Sequence, residues 1–455
     1  MPSKEPFRPK WSAQQGPRIA QARFCGTGQD PDTPLRGDDA GARGRRREEQ
    51  ASRSQVARCG EGQMTSPRRI LILGSSIGGG NWPPLAAVTV GLHQAGHRVK
   101  CFGDTTIAQE FASAAIAVEV MPAGESLHTF VARWQAVGAS GPSPLAAWAE
   151  ASLPAVRSLV KDFRPRIVLS DLFTMELARL TKAACGLRWC FVNPSYYFGR
   201  DSMRAFEADF VGRARYFYAE WMQAVVDADL VLHGTDPLFD PPPPSLPPHH
   251  HYVGPLMWER SREAPAYLDV PGAPWALVTL SSLPQEGEMM LARTALQTLA
   301  EFPIRVVLTL TAGHPRDELG PVPANARIEP FVPHSEVLKR ARLLISHAGH
   351  GIVMKGLYYG VPMVLIPWDR DQPGVAARAA ALAIAEVIPR EDLTEARLSA
   401  AIHKVLGAAR YQEKAGWIAG RMQGQDAVAS ACARIQEFMD ENSKGGGESS
   451  RYSKV

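Results

Sequence analysis

Cysteine is scarce: the 455 residues hold six, at Cys25, Cys59, Cys101, Cys185, Cys190 and Cys432, with no CxxC pair and no metal-ligand spacing. That excludes a disulfide-stapled scaffold and a cysteine zinc site, leaves the thiols as small core hydrophobes or idle groups, and fits a reducing compartment. Long apolar runs are missing as well. None approaches the roughly 18 to 20 residues that a membrane-spanning helix needs, and the N-terminus has no apolar secretory core, so a cytoplasmic protein is expected. Charge of one sign is not in large excess, at net +4, and arginines crowd one end at Arg43, Arg45, Arg46 and Arg47. The basic surplus therefore describes a tail more than a face for nucleic acid, and no nucleic-acid partner is expected.

What is present is a globular composition, 45% hydrophobic and 21% charged, in a chain longer than one hydrophobic core supports. Residues 1–63 mix Gly, Pro, Arg, Gln and Asp without apolar periodicity and are expected to be disordered. Met64 precedes "TSPRRILILGSS", where the folded protein is expected to begin. Over residues 64–235 short β-runs ("RILILG", "RVKCFGD", "RIVLSD", "WCFVNP", "LVLHG") alternate with helical stretches, the pattern of a parallel sheet covered by helices. Residues 236–260, with "DPPPPSLPPHHHYVGP", read as a proline-rich linker. Three adjacent histidines in an exposed linker cannot easily converge on one ion. The alternation restarts over residues 261–410, a helix over 411–439 is expected to brace the domains, and 440–455 is a flexible tail. The fold class is α/β: two Rossmann-like domains facing each other across a cleft, where open parallel sheets bind ligands.

One stretch carries chemistry: "SHAGHGIVMKGLYYGVPMVLIPWDRDQ", residues 346–372. An apolar strand ends in a Ser-His turn with Gly349 and Gly351 and enters a helix, whose free N–H groups and dipole attract anions. His347 either donates to a phosphate oxygen there or caps the turn. Asp371 and Gln372 follow the next strand, and an acceptor beside an amide suits hydroxyl-rich ligands such as sugars.

This segment, from "FVPHSEVL" through "AARA", resembles the donor-binding signature of family 1 glycosyltransferases of GT-B fold, especially bacterial antibiotic and macrolide enzymes. Weaker likeness extends to "TLSS", "TAGHP", "HYVGP" and the first strand-turn-helix, covering roughly residues 64–439. The resemblance implies an N-terminal acceptor domain, a C-terminal nucleotide-sugar domain, a UDP- or dTDP-sugar donor and no metal or other cofactor. It places Phe331, Val332 and His334 against the nucleobase, and His347 on the diphosphate with amides around Gly349 and Gly351. Ser281 and Ser282 add hydroxyls, and Asp371 and Gln372 hold the donor sugar.

Three positions depart from the family. Asn81 stands where a catalytic base is usual, and a neutral amide cannot deprotonate an acceptor. Asp171, matching the acid that orients that base, remains. Ile352 replaces a Ser or Thr that touches the diphosphate, and Lys355 replaces a Glu of the plant pattern and reads as a solvated helix charge or a phosphate contact. Two functions follow: an inverting glycosyltransferase acting on a hydroxyl of a hydrophobic small molecule with Asp171 as base, directly or through water, or a non-catalytic nucleotide-sugar binder or accessory subunit. Tyr196, Tyr197 and Phe198 in "SYYFG" are candidates for the acceptor, and a homodimer is left open.

Overall fold

The structure, a computed structural model, describes residues 67–77, 79–121, 126–136, 143–197, 223–260 and 262–441. The expected extension over residues 1–63, Phe198 and nearly all of the 440–455 tail lie outside the described residues.

Runs such as "RILIL" and "WALVT" are apolar at successive positions, which suits strands buried on both faces of a parallel sheet. The first sheet contains β1 (Arg69–Leu73), β2 (Arg98–Gly103), β3 (Ala117–Val120), β4 (Ile167–Ser170), β5 (Arg188–Asn193), β6 (Leu230–His233) and β7 (His250–Tyr252), in the order β3-β2-β1-β4-β5-β6-β7 with every pair parallel. The second contains β8 (Trp275–Thr279), β9 (Arg305–Thr309), β10 (Ala326–Glu329), β11 (Ala341–Ser346), β12 (Met363–Leu365) and β13 (Ala385–Val387), in the order β10-β9-β8-β11-β12-β13, again parallel throughout. In each sheet the direction of winding reverses once, between β1 and β4 and between β8 and β11. A crevice for ligands opens beyond the strand C-termini at such reversals.

The helices that matter for the site are α1 (Trp82–Gln94), α2 (Thr105–Phe111), α3 (Leu127–Ala136), α4 (Pro144–Phe163), α5 (Met175–Cys185), α6 (Met289–Leu299), α7 (His334–Leu338), α8 (His350–Tyr358), α9 (Gln372–Ala381), α10 (Glu395–Gly407), α11 (Ala409–Gln423) and α12 (Ala427–Asp440). The stretch expected as one bracing helix is thus two, separated by Gly424 and Gln425 and restarted by Asp426, whose side chain accepts from the Ala429 amide. Ala415, Ile418 and Met422 of α11 join the apolar core that holds β11 and β12, whereas Ala427, Ala431, Ile435 and Met439 of α12 join the core under β1 and α1. Close approach of α12 to α1 requires Gly91, where a Cβ would stand 2.4 Å from a Val428 methyl.

The stretch read as a linker does more than connect, since His250–Tyr252 forms the edge strand β7. One of its histidines is inside: His250 is buried, with Nδ1 3.1 Å from Nε2 of the buried His233 of β6. Among the described residues no three His, Cys, Asp or Glu side chains are grouped to hold a metal ion. No helix among them is long and apolar enough to cross a membrane.

Candidate active site

A cleft lies where the two crevices meet. Its walls are the loop between β1 and α1, the segment after β8, the turn from β11 into α8, and the turn before α9. Backbone from the two domains comes close: a Cβ on Gly79 would stand 3.5 Å from Ser282 Cβ, and one on Gly351 3.6 Å from the Gly80 carbonyl.

The β11–α8 turn is organised around His347. Ala348 takes a left-handed φ of 64° and Gly349 caps the nine-residue helix. A Cβ on Gly349 would stand 2.6 Å from His347 Nε2, so only glycine lets the ring reach this wall of the cleft. Burial pushes the His347 pKa down to about 4, although Glu288 and the Thr279 backbone favour its charged form. The imidazole is therefore neutral near pH 7 in the free protein. His347, Gly349 and Gly351 all line the cleft beside the α8 N-terminus, an arrangement that attracts anions. Ile352 is there too, packed against the core and offering no hydroxyl.

Opposite stands Arg370, which the sequence reading passed over. It sits in a left-handed backbone conformation (φ 63°), donates from Nη1 to Ser281 Oγ and from Nη2 to the Leu283 carbonyl, each at 3.2 Å, and lines the cleft. Ser281 is buried and Ser282 exposed, both on the same wall. Asp371 is half-buried and accepts a hydrogen bond from Ser195 Oγ at 2.6 Å; loss of water around its carboxyl raises its pKa. Gln372 accepts with Oε1 from the amides of Trp368 and Asp369, at 2.8 and 3.0 Å. Its carbonyl is spent holding the turn, so a role toward a ligand falls to the amide nitrogen.

The expected nucleobase residues separate. His334 lines the cleft, with Nε2 3.1 Å from Thr309 Oγ1, and burial takes its pKa down to about 4. Phe331 is 47% exposed under the Arg262 guanidinium and Val332 is buried, and neither belongs to the cleft wall. Lys355 is not a solvated charge: its Nζ lies 2.6 Å from Glu259 Oε1, and both side chains are mostly buried. Glu259 in turn accepts from the amides of His334 and Ser335, both at 3.1 Å, and so caps α7. Lys355 of this pair lines the cleft.

Asn81 lines the cleft just before α1, but Asp171 does not. The Asp171 carboxyl is fully buried, and its Oδ1 accepts from the Phe173 and Thr174 amides (3.0 and 3.1 Å) and from Thr174 Oγ1 (3.0 Å). Its Oδ2 is buried without a hydrogen-bond partner, and burial raises the pKa to about 7. In this geometry Asp171 holds the β4–α5 turn and is not positioned to touch an acceptor directly.

The aromatic acceptor candidates resolve differently. Tyr196 is 1% exposed, its ring under the Arg378 guanidinium at 3.8 Å, and a Cβ on Gly374 would stand 2.0 Å from its hydroxyl. It is interdomain packing and not a cleft residue. Tyr197 sets its ring edge-on against His233 and His250 and donates its amide to Asp240. On the first domain's side the apolar lining comes instead from Pro83, Pro84 and Pro194, with Leu256 and Met257 beyond β7. Acceptor-facing residues cannot be picked by aromaticity alone, because large rings are equally what a domain interface buries.

Residues 293–437 match the family model of the erythromycin biosynthesis protein CIII-like C-terminal domain. The 4'-demethylrebeccamycin synthase of Lentzea aerocolonigenes is 30% identical over 213 residues, 46% of this chain and 49% of that protein. The chain spans about half the length of such curated relatives. Among solved structures, the kitacinnamycin glycotransferase superposes with a TM-score of 0.66 at 20% identity, over 82% of this chain and 100% of that one. The glycosyltransferase VinC, solved in complex with dTDP, gives 0.62 at 18% identity, over 82% and 100%. With its two parallel-sheet domains the chain has the fold of these glycosyltransferase structures, and its C-terminal domain is similar to the erythromycin biosynthesis protein CIII-like domain.

Proposed function

We propose that the protein transfers a sugar, with inversion, from a UDP- or dTDP-sugar to a hydroxyl of a hydrophobic small molecule of natural-product type. The observation that carries this reading is that a helix N-terminus with His347, the cation Arg370 and the polar pair Asp371 and Gln372 share one cleft. The dTDP complex of VinC supports a nucleotide donor. The diphosphate lies against His347 and the first amides of α8, Arg370 balances its charge, and Asp371 takes sugar hydroxyls after releasing Ser195. Pro83, Pro84, Leu256 and Met257 give the acceptor an apolar wall.

Deprotonation is the step for which the cleft is least equipped. Asn81 orients the acceptor hydroxyl by hydrogen bonding, and Asp171 receives the proton through a water, its pKa near 7 matching that task. The test is calorimetric titration of UDP-glucose and dTDP-glucose into protein beginning at Met64, followed by chromatography for released nucleoside diphosphate, with Asp171→Asn alongside. Binding with diphosphate release that D171N abolishes is the expected result. Binding without turnover across a broad acceptor panel overturns the transferase reading in favour of a nucleotide-sugar binder.

A further inference from the structure

Behind the His347 ring lies a group that the donor reading does not use. Glu288, the residue preceding α6, has a fully buried side chain. Its Oε1 accepts from the Ser281 amide and its Oε2 from the Gln285 amide at 3.1 Å. Oε2 faces His314 Nε2 at 3.7 Å, and Oε1 faces His347 Nδ1 at 4.0 Å, just beyond hydrogen-bond reach. His347 Nδ1 is itself buried without a hydrogen-bond partner. His314 is fixed by its other nitrogen, which lies 2.9 Å from Thr311 Oγ1 and accepts from the Thr311 amide. Burial works to raise the Glu288 pKa, but His314, His347 and the two amides outweigh it and hold the group ionised.

A buried carboxylate is costly unless its charge is answered. Two amides answer part of it here. The charged and titratable groups acting on His347 are Glu288, His314, Arg370 and His334, so Glu288 is the single anion among them and, with the Thr279 backbone, favours a proton on the ring. A neutral imidazole offers one N–H; if that proton points at Glu288, Nε2 meets the cleft as an acceptor and repels a phosphate oxygen. An imidazolium donates to both at once.

Resting on the donor reading above, we propose that Glu288 is a positioning residue. It aligns the His347 ring through Nδ1 and makes it take up one proton when the diphosphate of the donor arrives, so that the ring bridges a buried carboxylate and a phosphate. The proton comes from solvent on binding and returns when the diphosphate leaves, so the step is balanced without a further reactant.

The experiment is calorimetric titration of UDP-glucose and dTDP-glucose into the folded protein at pH 7.5, in two buffers of different ionisation enthalpy, from which the protons taken up per donor bound are obtained. The diester diphosphate of these donors does not itself titrate there. Wild type is expected to take up about one proton, and its affinity to weaken up to about tenfold per pH unit rise while the bound ring stays protonated. Glu288→Gln, similar in shape and still able to accept from a backbone amide, is expected to bind more weakly with no uptake. His347→Gln should lose the uptake as well, which locates the proton should Glu288→Gln fail to fold. Donor binding without uptake in wild type, or undiminished uptake in either variant, overturns the proposal while leaving the donor reading standing. No binding of either donor by folded protein overturns both.

Discussion

Ser195 at the end of β5 in the first domain hydrogen-bonds Asp371 at the start of α9 in the second, with 2.6 Å between the oxygens. The carboxylate assigned to the donor sugar is thus already occupied, from across the cleft. Asp371→Ala is expected to lower kcat/KM for transfer by roughly 10- to 150-fold, the worth of about 1.5 to 3 kcal/mol for a hydrogen bond to a charged group. Ser195→Ala removes a competitor and should tighten donor binding by a few-fold while lowering the melting temperature, because the half-buried Asp371 loses its hydrogen-bond partner. Calorimetry and thermal melting of the two variants check this.

Arg370 is the cleft cation nearest to Ser281, and its guanidinium is held by Ser281 and Leu283. Arg370→Ala should raise the donor KM by about tenfold or more, consistent with ~1.5 to 3 kcal/mol for a charge-assisted contact. The loss should be smaller in kcat than in KM. Steady-state kinetics over a range of donor concentration reads the split.

Ile352 packs at the α8 N-terminus, where a hydroxyl would meet the diphosphate in the proposed donor pose. Ile352→Ser is expected to tighten UDP-glucose or dTDP-glucose binding by up to about tenfold, ~1.4 kcal/mol, set against lost apolar packing. A weaker or unchanged dissociation constant would place the diphosphate elsewhere.

Asn81 lines the cleft without the ability to take a proton. Asn81→His puts a titratable group at that position and should raise kcat about 10²-fold, the lower end of what a positioned base contributes. The pH–rate profile should gain a limb near the usual histidine pKa of about 6.5. An unchanged rate would show that the proton leaves by another route.

His334, His347 and His350 have pKa values near 4, 4 and 3, lowered mainly by burial. The unfolded chain protonates them at about 6.5, so between that pH and about 4 the unfolded state binds more protons. Stability is then fully present above pH 6.5 and is lost as the pH falls toward 4, by an order of a few kcal/mol per histidine. Melting temperatures of the free protein from pH 7.5 to 4.5 should fall steeply. Saturating donor should soften the fall, since the inference above has His347 protonated in the complex.

Much of this protein is dictated by local sequence. Apolar β-runs alternating with helical stretches specify parallel strands, because a strand buried on both faces must be apolar at successive positions, as in "RILIL" and "WALVT". The glycines around His347 and the Asp-Gln pair mark the cleft because their chemistry is carried by neighbours in the chain. Tertiary structure decided the rest. Nothing in "QEGEMM" announces that Glu288 lies behind His347, fifty-nine positions onward. Lys355 reads as a surface charge until Glu259, ninety-six positions earlier, is brought to it. Tyr196 reads as a ligand-facing ring until α9 covers it, and the histidine-rich linker reads as exposed until His250 enters the sheet edge. Periodicity records which residues must leave water. Which buried charge meets which partner depends on contacts between distant segments, and those form only in tertiary structure, within one domain for Glu288 and His347 and between the two for Tyr196 and α9.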